Sequence, residues 1–481
     1  MPQQFRQNRV IYAALFILVC IPLFAGLGSL SIRLWDESRL AVNAIEMYEN
    51  HNPWVTYFDG KPDMWNTKPP LMIWLQVYSL KLWGINEWAI RFPSAMAALL
   101  TLIFLFRFIQ QRIGNSVWAV LTAGILVTTK GYVDLHVTRT GDYDALLTLW
   151  TTVGGINLWQ YTETKSTRLI WIAAVAFGLG VLTKGVAGLL FVPALVFYLL
   201  LSGQLQAFLS NKNTYFAIAV FLLIALPYYF IRERYNPGYL HAVMENELGG
   251  RFLEAKEAND GNWAFYLSWM TGRDFIFWFL FVPIGMWLGY RQRRAAHGRF
   301  VLFTALMGLG FLLMISLAKT KLGWYDAPVY PFLAIVAAYA LSSAYQYLHH
   351  AANISRLQRR MGVGFLILLF TTAYVVLLKD TLSGNDAHAE INVQHIRQYS
   401  SKEGPEKEAV LVFDDHYNAP LKFYLYQAKA KGLLMKKQDV PDLVGAYIQS
   451  QVGDSVVKVS DPYLIRHLLH YHGAVIWQIK K

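Results

Sequence analysis

The amino-acid sequence predicts a polytopic α-helical membrane protein with a small α/β domain at its C-terminal end. Three observations lead there. Of the 481 residues, 55% are hydrophobic and only 15% charged, an apolar excess that an ordinary soluble domain does not carry. Apolar runs of about 17–22 residues recur, the length that crosses a bilayer core. Beyond residue 379 the long runs give way to short alternating segments.

Eleven spans follow from the runs, over about 10–30, 90–108, 115–133, 144–160, 169–183, 186–202, 214–231, 275–290, 300–318, 327–347 and 361–379. The first is too long for a secretory h-region, and no small-residue cleavage site follows it, so it reads as a retained helix. The single cysteine, Cys20, lies inside it. An intrachain disulfide and a cysteine-rich metal cluster are thereby excluded. With the N-terminus inside, the connections 107–115, 161–168, 202–213, 291–299 and 349–360 face the cytoplasm. They are rich in Lys and Arg, with 202–213 the exception in holding Lys212 alone. That asymmetry orients the chain with its N-terminus in and its C-terminus out. The formal charge of +12 belongs with these basic loops and with anionic lipid heads, and nucleic acid is not an expected partner.

Three of the outer segments are long: 31–86, 232–274 and the tail. Within the first, Asp36–Asn50 sets Leu40, Ala44 and Met47 at helical spacing, and Leu71–Trp83 sets Leu71, Trp74, Leu75, Tyr78 and Leu82 on one face. Both predict amphipathic helices lying in the membrane interface. Pro69 and Pro70 suit the start of the second, with Asn66 or Thr67 as its cap. The tail divides residues 1–379, a membrane domain, from an external domain over 380–481. There AVLVFDD predicts a strand, APLKFYLYQAK a helix and VPDLVGAYIQSQ a second helix. DSVVKVS, DPYLIRHLLHYHG and AVIWQIK continue as strand, helix and strand.

Polar residues at membrane depth default to function because their burial is costly. Asp36, Glu37 and Arg39 follow the first span directly. Lys68 opens the second interfacial helix, and Arg139, Asp142 and Asp144 lie in HVTRTGDYDALL. Lys184 interrupts VLTKGVAG, Arg251 follows Gly249 and Gly250, and Lys319, Lys321 and Tyr325 lie in AKTKLGWYDAP. Each alone has an ordinary explanation. The acids can cap a helix, Arg39 can pair with Asp36, Arg139 can pair with Asp144, and Lys184 can snorkel to head groups. Lys321 and Tyr325 can form an interfacial belt. All of them, however, fall on the outer side of the predicted topology.

Carboxylates beside several cations at the outer boundary suit a lipid-linked phosphate. The cations hold the phosphate and stabilise its departure, while a carboxylate takes the proton from an attacking hydroxyl. No glycine-rich phosphate loop or Walker motif is present, so the energy of transfer must arrive on a lipid. Of the tail histidines, His388, His395 and His416 share no spacing. His467 and His470, near His472, could share a helix face as metal ligands do, but no cysteine and no nearby acid at helical spacing supports them. All six read as surface or packing residues. The competing class is a transporter or flippase of a lipid-linked or anionic substrate. It calls for ionisable sites or broken helices at mid-membrane in paired halves, which the sequence lacks. A non-catalytic assembly protein or sensor would not require carboxylates and cations together on the membrane side.

WDESRLAVNAIEMYENHNPWVTYFDGKPDMWNTKPPLMIWL resembles the first outer loop of bacterial lipid-donor glycosyltransferases with the GT-C fold. The nearest kin are the aminoarabinose transferases of lipid A and the dolichyl-phosphate-mannose protein mannosyltransferase superfamily. INEWAIRFPSAM, TRTGDYDALLTL, LTKGVAGLLFVPAL, ALPYYFIRERYNPGYLHAVMENELGGRF and KTKLGWYDAPVYPFLAI are similar to later family motifs, in the family's order. The resemblance implies sugar transfer from a polyprenyl-phosphate donor to a glycan, lipid or protein acceptor outside a bacterial cytoplasmic membrane, with inversion. It implies Asp36 as base or acceptor-orienting carboxylate, with Asp144 and Glu37 as further acids. It implies Lys68 and Arg251 on the donor phosphate, supported by Arg39, Arg139, Lys184, Lys321 and Tyr325. Aminoarabinose transferases carry a zinc-binding Glu before Lys-Pro-Pro and a His before the loop's Arg-Phe, where this chain has Thr67 and Leu248. The resemblance therefore implies no obligatory cofactor. It leaves a divalent metal to Glu245, Asn246 and Glu247.

Overall fold

The structure is a computed structural model that describes residues 2–250, 261–382, 397, 409–412, 418–431, 435–438, 447–450, 456–458 and 475–479. The chain divides into two compact units. The larger comprises Met1–Ala25, Pro62–Met72 and Pro93–Ser383, and the smaller Gly26–Lys61, Ile73–Phe92 and Gly384–Lys481.

Among the described residues, six helices are long and apolar enough to cross a membrane: Glu87–Ile113, Thr167–Leu189, Lys212–Tyr235, Ala296–Leu317, Ala327–His350 and Arg356–Leu382. Tyr12–Phe24, Ser116–Val127 and Val192–Leu201 are apolar but shorter. Several predicted spans end early for local reasons. The first stops at Phe24, where Gly26 turns the backbone to a φ of 63° that glycine adopts without strain. The third stops at Val127, where the Thr128 and Thr129 hydroxyls donate to the Gly124 and Ile125 carbonyls. The 186–202 run opens as a 3-10 segment, Gly185–Leu189, and becomes α-helical only at Val192.

The centre of the larger unit is the Tyr330–His350 helix, which packs against Ser116–Val127, Phe281–Arg291 and Ala296–Leu317. Gly285 permits the closest approach, since a Cβ there would lie 2.1 Å from the Val336 carbonyl oxygen. Small residues of this kind let apolar helices dock where lipid competes for the same surface. The Asp144–Thr164 helix is buried along most of its length despite its polar residues. Thr148, Thr151 and Asn157 return their donors to the Asp144, Leu147 and Val153 carbonyls of the same helix, so their burial leaves those donors satisfied.

In the smaller unit, Asp36–Asn50 buries Leu40, Ala44 and Met47 as their spacing requires. An Asp59-Gly60 turn joins β1 (Tyr57–Phe58) to β2 (Lys61–Pro62), and both turn residues have positive φ, as a type I′ hairpin demands. The Glu46 carboxylate accepts both turn N–H groups, at 2.8 and 2.9 Å. The stripe read in Leu71–Trp83 is not its packed face. Met72, Ile73, Gln76, Ser79 and Leu80 are buried, whereas Tyr78 and Leu82 stay exposed, as an apolar stripe meeting lipid would be.

The tail contributes β3 (Ala409–Val412), β4 (Met435–Gln438), β5 (Tyr447–Ser450), β6 (Val456–Lys458) and β7 (Val475–Ile479). They form one sheet in the order β4-β3-β7-β5-β6. β3 pairs parallel with β4, and the other three pairings are antiparallel. Tyr447–Ser450, expected within a helix, is therefore a strand. Its backbone groups pair with β6 on one side and β7 on the other, and a two-sided ladder outweighs a short helical pattern. The Ala419–Ala430 helix forms where APLKFYLYQAK places it. Asn418 caps it by accepting from the Leu421 N–H, and it packs on Asp36–Asn50.

Candidate active site

Two consecutive helices of the larger unit, Asp144–Thr164 and Thr167–Lys184, are joined by a tight turn and pack against each other. A hairpin of two helices this similar in length brings the first residue of one beside the last residue of the other. Asp144 and Lys184 are those residues. Lys184 Nζ lies 2.5 Å from Asp144 Oδ1 in a buried pair. Each also sits at the helix end whose partial charge favours it. Gly185 then leaves the helix at a φ of 57°, and a Cβ there would lie 3.3 Å from the Tyr229 hydroxyl and 3.8 Å from Pro69.

Lys68 reaches the same place from another direction. Its ammonium lies 3.6 Å from Glu247, which belongs to the Met244–Gly250 π-helical turn, and 5.7 Å from the Tyr143 ring centroid. Its loop is fastened on both sides. The Tyr239 hydroxyl donates to the Thr67 carbonyl at 2.6 Å, and Arg232 donates to the Asp63 carbonyl at 2.9 Å. Asn66 and Thr67, expected as helix caps, reach across to other elements. Asn66 accepts the Tyr143 hydroxyl, and the Thr67 hydroxyl donates to Glu247 at 3.2 Å.

Lys68 and Lys184 thus line one cleft. Lys68, Asp144, Lys184, Glu247 and Tyr325 line it together with the apolar Leu147, Val186, Leu190, Phe311 and Ile315. The Tyr325 ring stands 4.7 Å from the Lys184 ammonium, a cation–π contact. Two lysines among apolar lining residues can receive an anion that carries a hydrocarbon chain.

The other described residues among those predicted are not part of this cleft's lining. Arg139 donates to the Pro22 and Ala25 carbonyls at 2.9 Å. Lys321 donates to the Ser316 carbonyl at 2.8 Å and to the Ala318 carbonyl. Both cover carbonyls left over at helix C-termini, and neither lines the cleft. Burial pushes the Lys321 ammonium down from its ordinary value. Asp36, Glu37 and Arg39 belong to the smaller unit. Glu37 is wholly buried against Arg91 at 2.7 Å, and the Arg39 guanidinium lies 4.5 Å over the Phe58 ring. Arg251 lies outside the described residues.

Sequence reading passed over His136. Its φ is 64°, its ring stacks on Trp324 at 3.8 Å, and its Nδ1 lies 3.2 Å from Asp142 Oδ2. The signal was its place in HVTRTGDYDALL beside two acids. Glu247, weighed only as a metal ligand, also lines the cleft. For zinc the donor set there does not fit: Thr67 supplies a hydroxyl, and the Lys68 ammonium stands against the Glu247 carboxylate.

A family model described as dolichyl-phosphate-mannose-protein mannosyltransferase matches residues 67–231. An uncharacterised protein of Aquifex aeolicus is 25% identical over 344 residues, covering 71% of this chain and 66% of its own length. The undecaprenyl phosphate-alpha-4-amino-4-deoxy-L-arabinose arabinosyl transferase 1 of Pseudomonas fluorescens is 26% identical over 338 residues, 68% of this chain and 59% of that one. The chain thus spans less than two thirds of the length of these relatives. The crystal structure of ArnT from Cupriavidus metallidurans bound to undecaprenyl phosphate superposes with a TM-score of 0.68, at 18% identity over 90% of each chain. The fold is therefore that of a GT-C membrane protein, a helical bundle with a cleft at the ends of its helices. The chain is thus similar in sequence to the mannosyltransferase family model and the Pseudomonas transferase, and similar in fold to the Cupriavidus structure.

Proposed function

We propose that this protein transfers a sugar from a polyprenyl-phosphate donor to a hydroxyl of a glycan, lipid or protein at the outer face of the cytoplasmic membrane. The observation that carries the reading is the convergence of Lys68 and Lys184 on one cleft among apolar lining residues. The two ammonium groups supply the charge a phosphate needs, and the apolar lining suits the first isoprene units of its chain. The Pseudomonas relative is named for an undecaprenyl-phosphate sugar and the Cupriavidus structure holds undecaprenyl phosphate, which supports the donor class. Loop charge supports an inside N-terminus, with 1–379 as the membrane catalytic domain and 380–481 as an external α/β domain.

In the reaction, the acceptor oxygen forms a bond to the anomeric carbon as the bond from that carbon to the phosphate oxygen breaks. The bonding electrons leave with the polyprenyl phosphate, whose added charge Lys68 and Lys184 stabilise. Asp36 takes the acceptor proton, a role assigned on its motif. One displacement inverts the anomeric centre. Asp144 holds Lys184 at the phosphate position and Tyr325 shields it, while Glu247 sets where Lys68 lies until the donor binds.

Membranes carrying Lys68→Ala or Asp36→Asn test the reading with a polyprenyl-phosphate sugar as donor. The expected result is transfer lowered by about 10²–10³-fold at unchanged protein level, the scale of losing one transition-state charge contact. Unreduced transfer in either variant overturns that residue's assignment. Mass spectrometry of envelope glycans and lipids with and without the protein identifies the acceptor.

A further inference from the structure

Within the smaller unit, several side chains hold the backbone of the segment preceding Asp36. Arg91 donates to the Leu27, Leu30 and Ser31 carbonyls at 2.8, 2.9 and 2.7 Å while pairing with Glu37. Glu37 in turn accepts the Arg33 N–H at 2.7 Å. Two tail residues complete the set. Arg397 donates to the Gly28 carbonyl at 2.9 Å and to Glu87 at 2.7 Å. The Tyr424 hydroxyl accepts the Ile32 N–H and donates to Glu87, both at 2.9 Å.

Directly after this segment stands Trp35, with φ 73° and ψ −117°, a conformation that costs a non-glycine residue energy. Such residues persist where their surroundings over-determine them, and they gather at functional sites. The next residue is Asp36, the first of its helix. The strained step is thus the hinge at which the held segment hands over to the Asp36 helix. The tail helix that carries Tyr424 is itself pinned. Gln427 donates to the Ile85 carbonyl at 3.0 Å, Tyr426 donates to Glu46 at 3.0 Å, and Lys422 pairs with Asp59 at 2.5 Å.

We propose that Tyr424 is a positioning residue for Asp36: from the C-terminal tail it fixes the Ile32 backbone and so the strained Trp35 step that aims the carboxylate. This rests on the reading of Asp36 as the base. One oxygen joins a backbone donor and a buried carboxylate, so phenylalanine keeps the ring but leaves the Ile32 N–H without its acceptor. Relaxation at Trp35 then moves Asp36 without removing it. A tail that merely covered the membrane domain would tolerate this change.

The test is Tyr424→Phe in the full-length protein, assayed in membranes with a polyprenyl-phosphate sugar. The expected result is kcat lowered about ten- to hundredfold, the scale of a small misplacement of a reacting group. The donor KM stays within about twofold, because the cleft lysines are untouched. Arg397→Gln, which loosens the same segment from Gly28, shows the same split. The proposal is overturned if kcat is unchanged in both variants, if KM rises instead, or if the whole loss follows the amount of folded protein by thermal unfolding. Asp36→Asn separates the two readings. If it retains transfer, the assignment of Asp36 fails and the positioning role with it. If it abolishes transfer while both tail variants keep the wild-type kcat, the positioning role alone fails.

Discussion

The Lys184–Asp144 pair of the larger unit and the Arg91–Glu37 pair of the smaller are alike in chemistry and unlike in surroundings. Both are buried and close, at 2.5 and 2.7 Å. Arg91 directs its donors to Glu37 and to three backbone carbonyls, and Glu37 also receives a backbone N–H. Its charge organises a loop. Lys184 instead opens onto the cleft beside Lys68, with Tyr325 over its ammonium. A buried charge pair is weak evidence of stability. What distinguishes these two is the use made of the cation, and substitution can separate the uses.

The largest effect is expected at Arg91. Arg91→Met leaves Glu37 buried without its partner and three carbonyls without their donor, at a cost of about 3–5 kcal/mol or more. Thermal unfolding of the detergent-extracted protein measures it. Adding Glu37→Leu removes the stranded charge but not the orphaned carbonyls, so the double variant stays well below the wild type. Full recovery in the double variant would reduce this pair to a simple ion pair. The Lys184 pair should behave otherwise. Lys184→Met with Asp144→Leu removes both charges together and is expected to melt within about 1 kcal/mol of the wild type. Transfer should nevertheless fall about 10²–10³-fold. Retained transfer in a stable double variant would remove Lys184 from the donor site.

The same contrast explains what was legible in the sequence. Lys68, Asp144, Lys184 and Tyr325 stood out as polar groups beside apolar runs and line one cleft, where helix length and a tight turn bring Asp144 to Lys184 and separate loops bring the other two. Arg139 and Lys321 gave the same signal for a different reason. The last carbonyls of a helix carry partial negative charge, so a cation near the membrane boundary reads alike whether it meets a phosphate or a helix end. Arg91 lay unremarked inside INEWAIRFPSAM because its partners, at 27, 30, 31 and 37, are distant in sequence. The shortened spans at Gly26 and Thr128 were local events that hydropathy averages away. Tyr447–Ser450 needed β7, more than twenty residues on, to become a strand. Such long-range pairing is invisible to a local period.

A third charged group lies between the two extremes and gives the smallest expected effect. Asp274 is buried, with Arg273 Nε at 3.5 Å, and Arg273 also pairs with Asp134 at 2.6 Å. Burial outweighs the arginine and pushes the Asp274 carboxyl up to about 6, with Asp134 adding repulsion. Its pKa is thus higher in the folded protein than in the unfolded chain, so the folded state holds a proton that the unfolded state has lost. The stability from that proton is fully present below about pH 4, declines as pH rises, and is gone above about pH 6. Asp274→Asn keeps a neutral group at every pH. Relative to wild type it should gain at pH 7.5, by at most about 3 kcal/mol, and the gain should shrink to nothing near pH 4. Paired thermal unfolding of the two proteins across that range reads the difference. A loss at pH 7.5 would mean that the ion pair with Arg273 outweighs the burial, which would place Asp274 with Arg91–Glu37 among the structural pairs.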